Sequence, residues 1–121
     1  MATMSKVLLS GSTNGQGISL TDTSTSGNTD AGYLIHTAVS GTSDIDEVWL
    51  WATNTQAGAV KLTIEWGEVD INGNIEVTID GESGLTLIAP GLPLQNGLLI
   101  KAFAGTADVI SIHGYVNRIT A

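Results

Sequence analysis

Cysteine is absent from this chain of 121 residues. That removes disulfides, thiolate metal sites and cysteine nucleophiles from consideration. Basic residues are scarce: Lys6, Lys61, Lys101 and Arg118 stand singly among twelve acidic residues, for a formal net charge of −8. Nucleic-acid binding draws its affinity from clustered lysine and arginine, so this balance argues against a nucleic-acid partner. No apolar run reaches the ~20 residues that a membrane-spanning helix needs. The opening MATMSKVLLSG lacks the charged segment and long apolar core of a secretory signal. No window carries a convincing 3.6-residue period, so long amphipathic helices are not expected.

The two histidines, His36 and His113, are the only candidates for a neutral-pH base or a nitrogen ligand. Without a third placed ligand they do not make a zinc site. The residues therefore point to no enzyme, no cofactor and no metal.

What is present favours strands. Hydrophobic residues make up 42% and charged residues 13%, which is far from the composition of a disordered chain. Fifteen glycines and many serines and threonines suit short strands joined by turns. In VKLTIEWG, Val60, Leu62, Ile64 and Trp66 share one face while Lys61, Thr63 and Glu65 share the other. NIEVTI repeats the pattern with Ile75, Val77 and Ile79. Between these runs, Asn72-Gly73 predicts a tight hairpin turn with positive φ. Asp80-Gly81 marks a second turn. APGLPLQNG holds both prolines and reads as a connection, because proline cannot donate to a ladder.

Counting SKVLL, GYLIHTAV, EVWLWAT, the short apolar run GLTLIAP (Gly84 to Pro90), LLIKAF and VISIHGYVNRI with the two runs above gives about eight short strands. The fold expected is all-β, an antiparallel, jelly-roll-like β-sandwich. Residues 1–17 read as an N-terminal strand or arm with a glycine-rich loop, able to extend and order on a partner. Residues 18–121 read as a single sandwich domain, in which the polar stretch 21–32 is an exposed loop.

Motifs that resemble chemistry fail on context. Gly11, Gly15 and Gly17 have the spacing of the dinucleotide loop of short-chain dehydrogenases, but no helix follows to receive a phosphate. They read instead as a loop after the first strand. Ser83 in DGESG lacks the spacing of a hydrolase elbow. DINGN lacks the later glutamate of a calcium loop, and nothing in the spacing of Asp22, Asp30, Asp44, Asp46 and Glu47 selects a calcium site.

Two strands are apolar on both faces. Trp49 and Trp51 oppose Val48, Leu50 and Ala52, while Leu99 and Phe103 oppose Leu98, Ile100 and Ala102. His113 and Tyr115 likewise face away from Ile110, Ile112 and Val116. A strand of this kind needs a second cover: a loop, another subunit or a ligand. Trp49, Trp51, Leu99, Phe103, His113 and Tyr115 are therefore the candidate oligomer or partner interface. A sugar stacked on Trp49, Trp51, Tyr33 or Tyr115 is the alternative.

KVLLSGSTNGQGI, HTAVSGTSDIDEVWLWATNT, VKLTIEWG and PGLPLQNGLLIKAFAGTADVISIHGYVNRI together resemble small virion proteins of tailed bacteriophages, most of all head decoration or cement proteins. The resemblance runs over residues 6–120 and transfers no individual site residue. It implies a β-sandwich made in the bacterial cytoplasm and placed on the outer capsid surface. Its partners would be the major capsid protein and further copies of itself, with a trimer favoured. The alternative is a tail-fibre or adhesin module that binds glycans or the host surface.

Overall fold

The structure, a computed structural model, describes residues 2–21, 23 and 33–121. Among the described residues, alternation of apolar and polar side chains yields nine strands: β1 (Thr3–Leu8), β2 (Ile18–Ser19), β3 (Tyr33–Thr37), β4 (Ile45–Asn54), β5 (Val60–Trp66), β6 (Asn74–Ile79), β7 (Thr86–Leu94), β8 (Leu99–Ala104) and β9 (Ile110–Thr120). They form two antiparallel sheets. The first has the order β1-β9-β4-β7, with β2 also on β9, and the second has the order β3-β8-β5-β6.

The topology is a long hairpin wound on itself. The chain doubles back between β5 and β6, and on the return β7 pairs with β4, β8 with β3 and β9 with β1. The pairs β4 with β9 and β5 with β8 then join these arms into sheets. This is the jelly-roll order, with the two-residue β2 as a ninth strand. Val48, Leu50 and Ala52 of β4 and Ile110, Ile112 and Val116 of β9 meet Leu62, Ile64, Ile100 and Ala102 of the other sheet, all fully buried.

Three local expectations change in the fold. The proline-containing stretch is not a connection but part of β7, and it lies at the sheet edge, where a missing N–H leaves no partner unsatisfied. Register shifts as Val48 opposite Leu92 passes to Trp49 opposite Pro90, and again from Leu50 opposite Ala89 to Trp51 opposite Leu87. Gly91, at φ +76°, is the extra residue of the first bulge.

The β5–β6 connection is longer than a two-residue turn. It holds a single 3-10 turn, Ile71–Gly73, whose first N–H donates to the Asp70 carboxylate at 2.7 Å. Positive φ falls on Gly67. Gly73 is needed for space, since a Cβ there would come within 2.9 Å of the Glu68 carbonyl oxygen.

The N-terminal segment is built into the sandwich. β1 pairs with β9 over six consecutive residues, and Leu9 lies in the core. Ser10 and Gly11 then cross to β3: the Gly11 N–H donates to Ile35 O at 2.9 Å, and the Thr37 N–H donates to Ser10 Oγ at 2.7 Å. Most of the stretch 21–32 lies outside the described residues.

The core face of β4 reads Asp46, Val48, Leu50, Ala52, Asn54, polar at both ends and apolar between. At one end, Asn54 Nδ2 donates to Gly58 O and Ile79 O, each at 3.0 Å, tying the two crossovers together. At the other, the Asp46 carboxylate is fully buried and receives Arg118 Nε at 2.7 Å, Arg118 Nη2 at 3.0 Å and the Val39 N–H at 3.0 Å. His36 completes the group. The Ser10 N–H donates to its Nδ1 at 3.0 Å, which leaves Nε2–H to donate to Asp46 at 2.8 Å.

Burial pushes the Asp46 carboxyl up, and Arg118, His36 and the Val39 N–H more than offset that, so it lies below its ordinary value of 3.8. The folded state thus holds the charged form more tightly than the unfolded chain does. The resulting stability is complete above the unfolded value and is lost as pH falls through the lower folded value. Asp46→Asn is expected to cost about 3 kcal/mol at neutral pH and to flatten the loss of stability below about pH 4, as read by urea unfolding across an acid series. Gly114→Ala is expected to lower stability by more than about 2 kcal/mol in the same assay, because its Cβ would overlap the Trp49 carbonyl in the adjacent central strand.

Candidate functional site: the aromatic face of one sheet

On β4, the residues between the core positions, Ile45, Glu47, Trp49, Trp51 and Thr53, point away from the second sheet. Register sets them beside the outward residues of β9, with Glu47 opposite Asn117, Trp49 opposite Tyr115 and Trp51 opposite His113. Neighbouring strands extend these rows. Leu8, Tyr115, Trp49 and Pro90 form an apolar row across all four long strands, and His113, Trp51 and Leu87 form the next. A third row, Met4, Ile119 and Ile45, lies at the end of the sheet. Met4, Leu8 and Leu87 are 60%, 53% and 49% exposed, a large apolar display for one sheet face.

The rings at the centre form one cluster. Trp49 and Trp51 have centroids 6.2 Å apart, Trp49 and Tyr115 6.4 Å, and Trp51 and Tyr115 6.1 Å, with interplanar angles of 14° to 27°. Lys6 places its ammonium 4.4 Å from the Tyr115 ring centroid, an attraction of cation to ring quadrupole. A polar row crosses beside the rings: the Glu47 carboxylate accepts from Trp49 Nε1 and from Asn117 Nδ2, both at 3.1 Å. These two bonds hold the Glu47 carboxyl below its ordinary range.

Glycines let backbone approach this face. Gly91 lies against Trp49, and a Cβ at Gly17 would come within 2.6 Å of the His113 ring. The loop that resembles a dinucleotide motif therefore has a packing reason for Gly17: it closes over His113.

Of the six residues singled out from sequence, Trp49, Trp51, His113 and Tyr115 come together here. Leu99 and Phe103 lie on β8 in the other sheet, where Leu99 is exposed and Phe103 is buried opposite Thr63. Tyr33 is on that second sheet as well. Sequence reasoning missed Met4, Lys6, Leu8, Glu47 and Asn117. The alternation in MSKVL was a usable signal, but only the pairing of β1 with β9 brings it to the rings.

Among the described residues no three His, Asp or Glu side chains converge as a metal ion would require. Asp46 is engaged by Arg118 and His36, Asp44 accepts the Ala121 N–H, and Asp22 and Asp30 lie outside the described residues. The chemistry on offer at the outer face is contact: apolar area, ring faces and edges, and a few fixed polar groups. No protein-family model, curated protein or solved structure matches this chain.

The two faces of β4 are expected to respond differently to truncation. Leu50→Ala should cost about 3 kcal/mol for the cavity it leaves. Trp51→Ala should cost about 1 kcal/mol for lost ring contacts. Denaturant unfolding of the two variants measures the difference, and equal costs would mean that the outer face is as tightly enclosed as the core.

Proposed function

We propose that this chain is a structural virion protein of a tailed bacteriophage, a head decoration protein that braces the outer capsid lattice as a symmetric oligomer, with a trimer favoured. The observation that carries the reading is the apolar row Leu8, Tyr115, Trp49 and Pro90, which runs across the whole width of one sheet. An apolar surface of that extent on a small acidic domain is suited to burial against protein. Aromatic side chains supply much contact area for little ordering entropy, which is why they dominate binding energy where they are desolvated.

Further support comes from charge and from the resemblance in sequence. A net charge of −8 suits the outside of a head better than its DNA-facing side. The mechanism is mass action: contacts made only to the assembled lattice stabilise that lattice by the free energy of binding. The major capsid protein is the partner this requires, and no catalytic step enters.

A second reading, a glycan-binding module, is favoured by the Glu47 carboxylate and the Asn117 amide lying beside three rings. Sugars are held by such combinations of stacking surface and polar groups.

Light scattering across a dilution series is expected to give a stable trimer, and the protein is expected to bind expanded heads stripped of decoration. Trp49→Ser with Trp51→Ser should weaken that attachment by at least about tenfold, the loss expected for hot-spot residues. A strict monomer that ignores heads would overturn the reading, and sugar-dependent quenching of tryptophan fluorescence would install the second one.

A further inference from the structure

An edge strand presents unpaired N–H and C=O groups, a template for another strand unless the edge is blocked. Four long strands end the two sheets: β1, β7, β3 and β6. Three of them carry a block. β7 contains Pro90 and Pro93 and two register shifts. β3 has a shift between Leu34 and His36, and Ser10 and Gly11 bond along it. β6 carries Glu76, which Lys61 of β5 meets at 2.8 Å, and it is flanked by Asp70 and Asp80, so this edge is acidic on balance and two of them repel each other.

β1 carries one charge, Lys6, but its ammonium lies over the Tyr115 ring of β9, 4.4 Å from the centroid and turned from the open edge. The strand is exposed along nearly its whole length, contains neither proline nor bulge, and among the described residues no strand pairs with its outer side. Charge singles it out again. All twelve acidic residues of the chain lie at or beyond Asp22, and Lys6 is the only charged side chain before it. Two copies, each at −8, repel least where their β1 edges meet.

We propose that β1 pairs antiparallel with β1 of a second copy about a twofold axis, joining the two first sheets into one. A register centred on Ser5 sets Lys6 beside the partner's Met4 and keeps the two lysines from facing each other. Met4 packs beside the aliphatic stem of the partner's Lys6 and Leu8 beside the partner's Ala2, so the two outer faces join side by side, each apolar row ending at the seam. The inference does not rest on the virion reading. A pair of six-residue strands associates weakly by itself, and copies held side by side on a surface gain effective concentration.

Hydrogen exchange of the full chain, read by mass spectrometry from dilute protein up to about 1 mM, tests this. Amides of residues 3–8 should exchange about tenfold more slowly as concentration rises, with β6 unchanged and the mass of the basal unit doubling. N–H groups alternate in direction along a strand, so of Ser5→Pro and Lys6→Pro one removes an outward N–H and spares the β9 ladder. The variant that keeps its circular dichroism and melting temperature should lose the concentration-dependent protection. Trp49→Ser with Trp51→Ser should keep it, which separates this edge from the aromatic face. Exchange in β1 that ignores concentration, or protection that rises in β6 together with β1, would overturn the twofold pairing.

Discussion

A single buried carboxylate organises one end of the sandwich. Asp46 sits where β4 begins, and its lone pairs are shared among Arg118 of β9, His36 of β3 and the Val39 N–H. His36 in turn holds the Ser10 N–H, so one charge ties together both sheets and the segment that follows β1. Burying a charge is costly unless every lone pair is met. The geometry here meets them through bonds that only one arrangement of four chain segments supplies.

That anchoring fixes the register on which the outer face depends. With Asp46 opposite Arg118, the alternation along β4 and β9 places Val48, Leu50, Val116 and Ile112 in the core and Trp49, Trp51, Tyr115 and His113 outside. A slip of one residue would exchange the two sets. Core and contact surface are therefore opposite sides of the same two strands, and the buried ion pair at their end helps to hold both in place. Asn54 closes the far end of β4 in a neutral form of the same device, satisfying carbonyls at the crossovers.

Much of the fold was legible from residue patterns, and the misses have physical causes. Period-two alternation located β4, β5, β6, β8 and β9 because each has one face in the core. The run GLTLIAP located the first part of β7, while Pro90 and Pro93, which argue against an inner strand and are tolerated at an edge, hid its continuation to Leu94. The Asn72-Gly73 signal named the right hairpin and the wrong turn, since Gly73 answers a steric demand from Glu68 rather than a demand for positive φ. His36 gave no sign in sequence of its role, because its partners are ten and twenty-six residues away.

The sequence by itself determined an all-β, cysteine-free, acidic sandwich with two-faced strands that require a second cover. Those properties follow from composition and local period, which do not depend on which strands are neighbours. Tertiary structure decided the rest. It chose the jelly-roll order, drew β1 into the first sheet, and gathered Trp49, Trp51, His113 and Tyr115 while leaving Leu99 and Phe103 on the other. Each of these turns on pairing between strands far apart in the chain, and pairing is settled by register and packing that no local window contains.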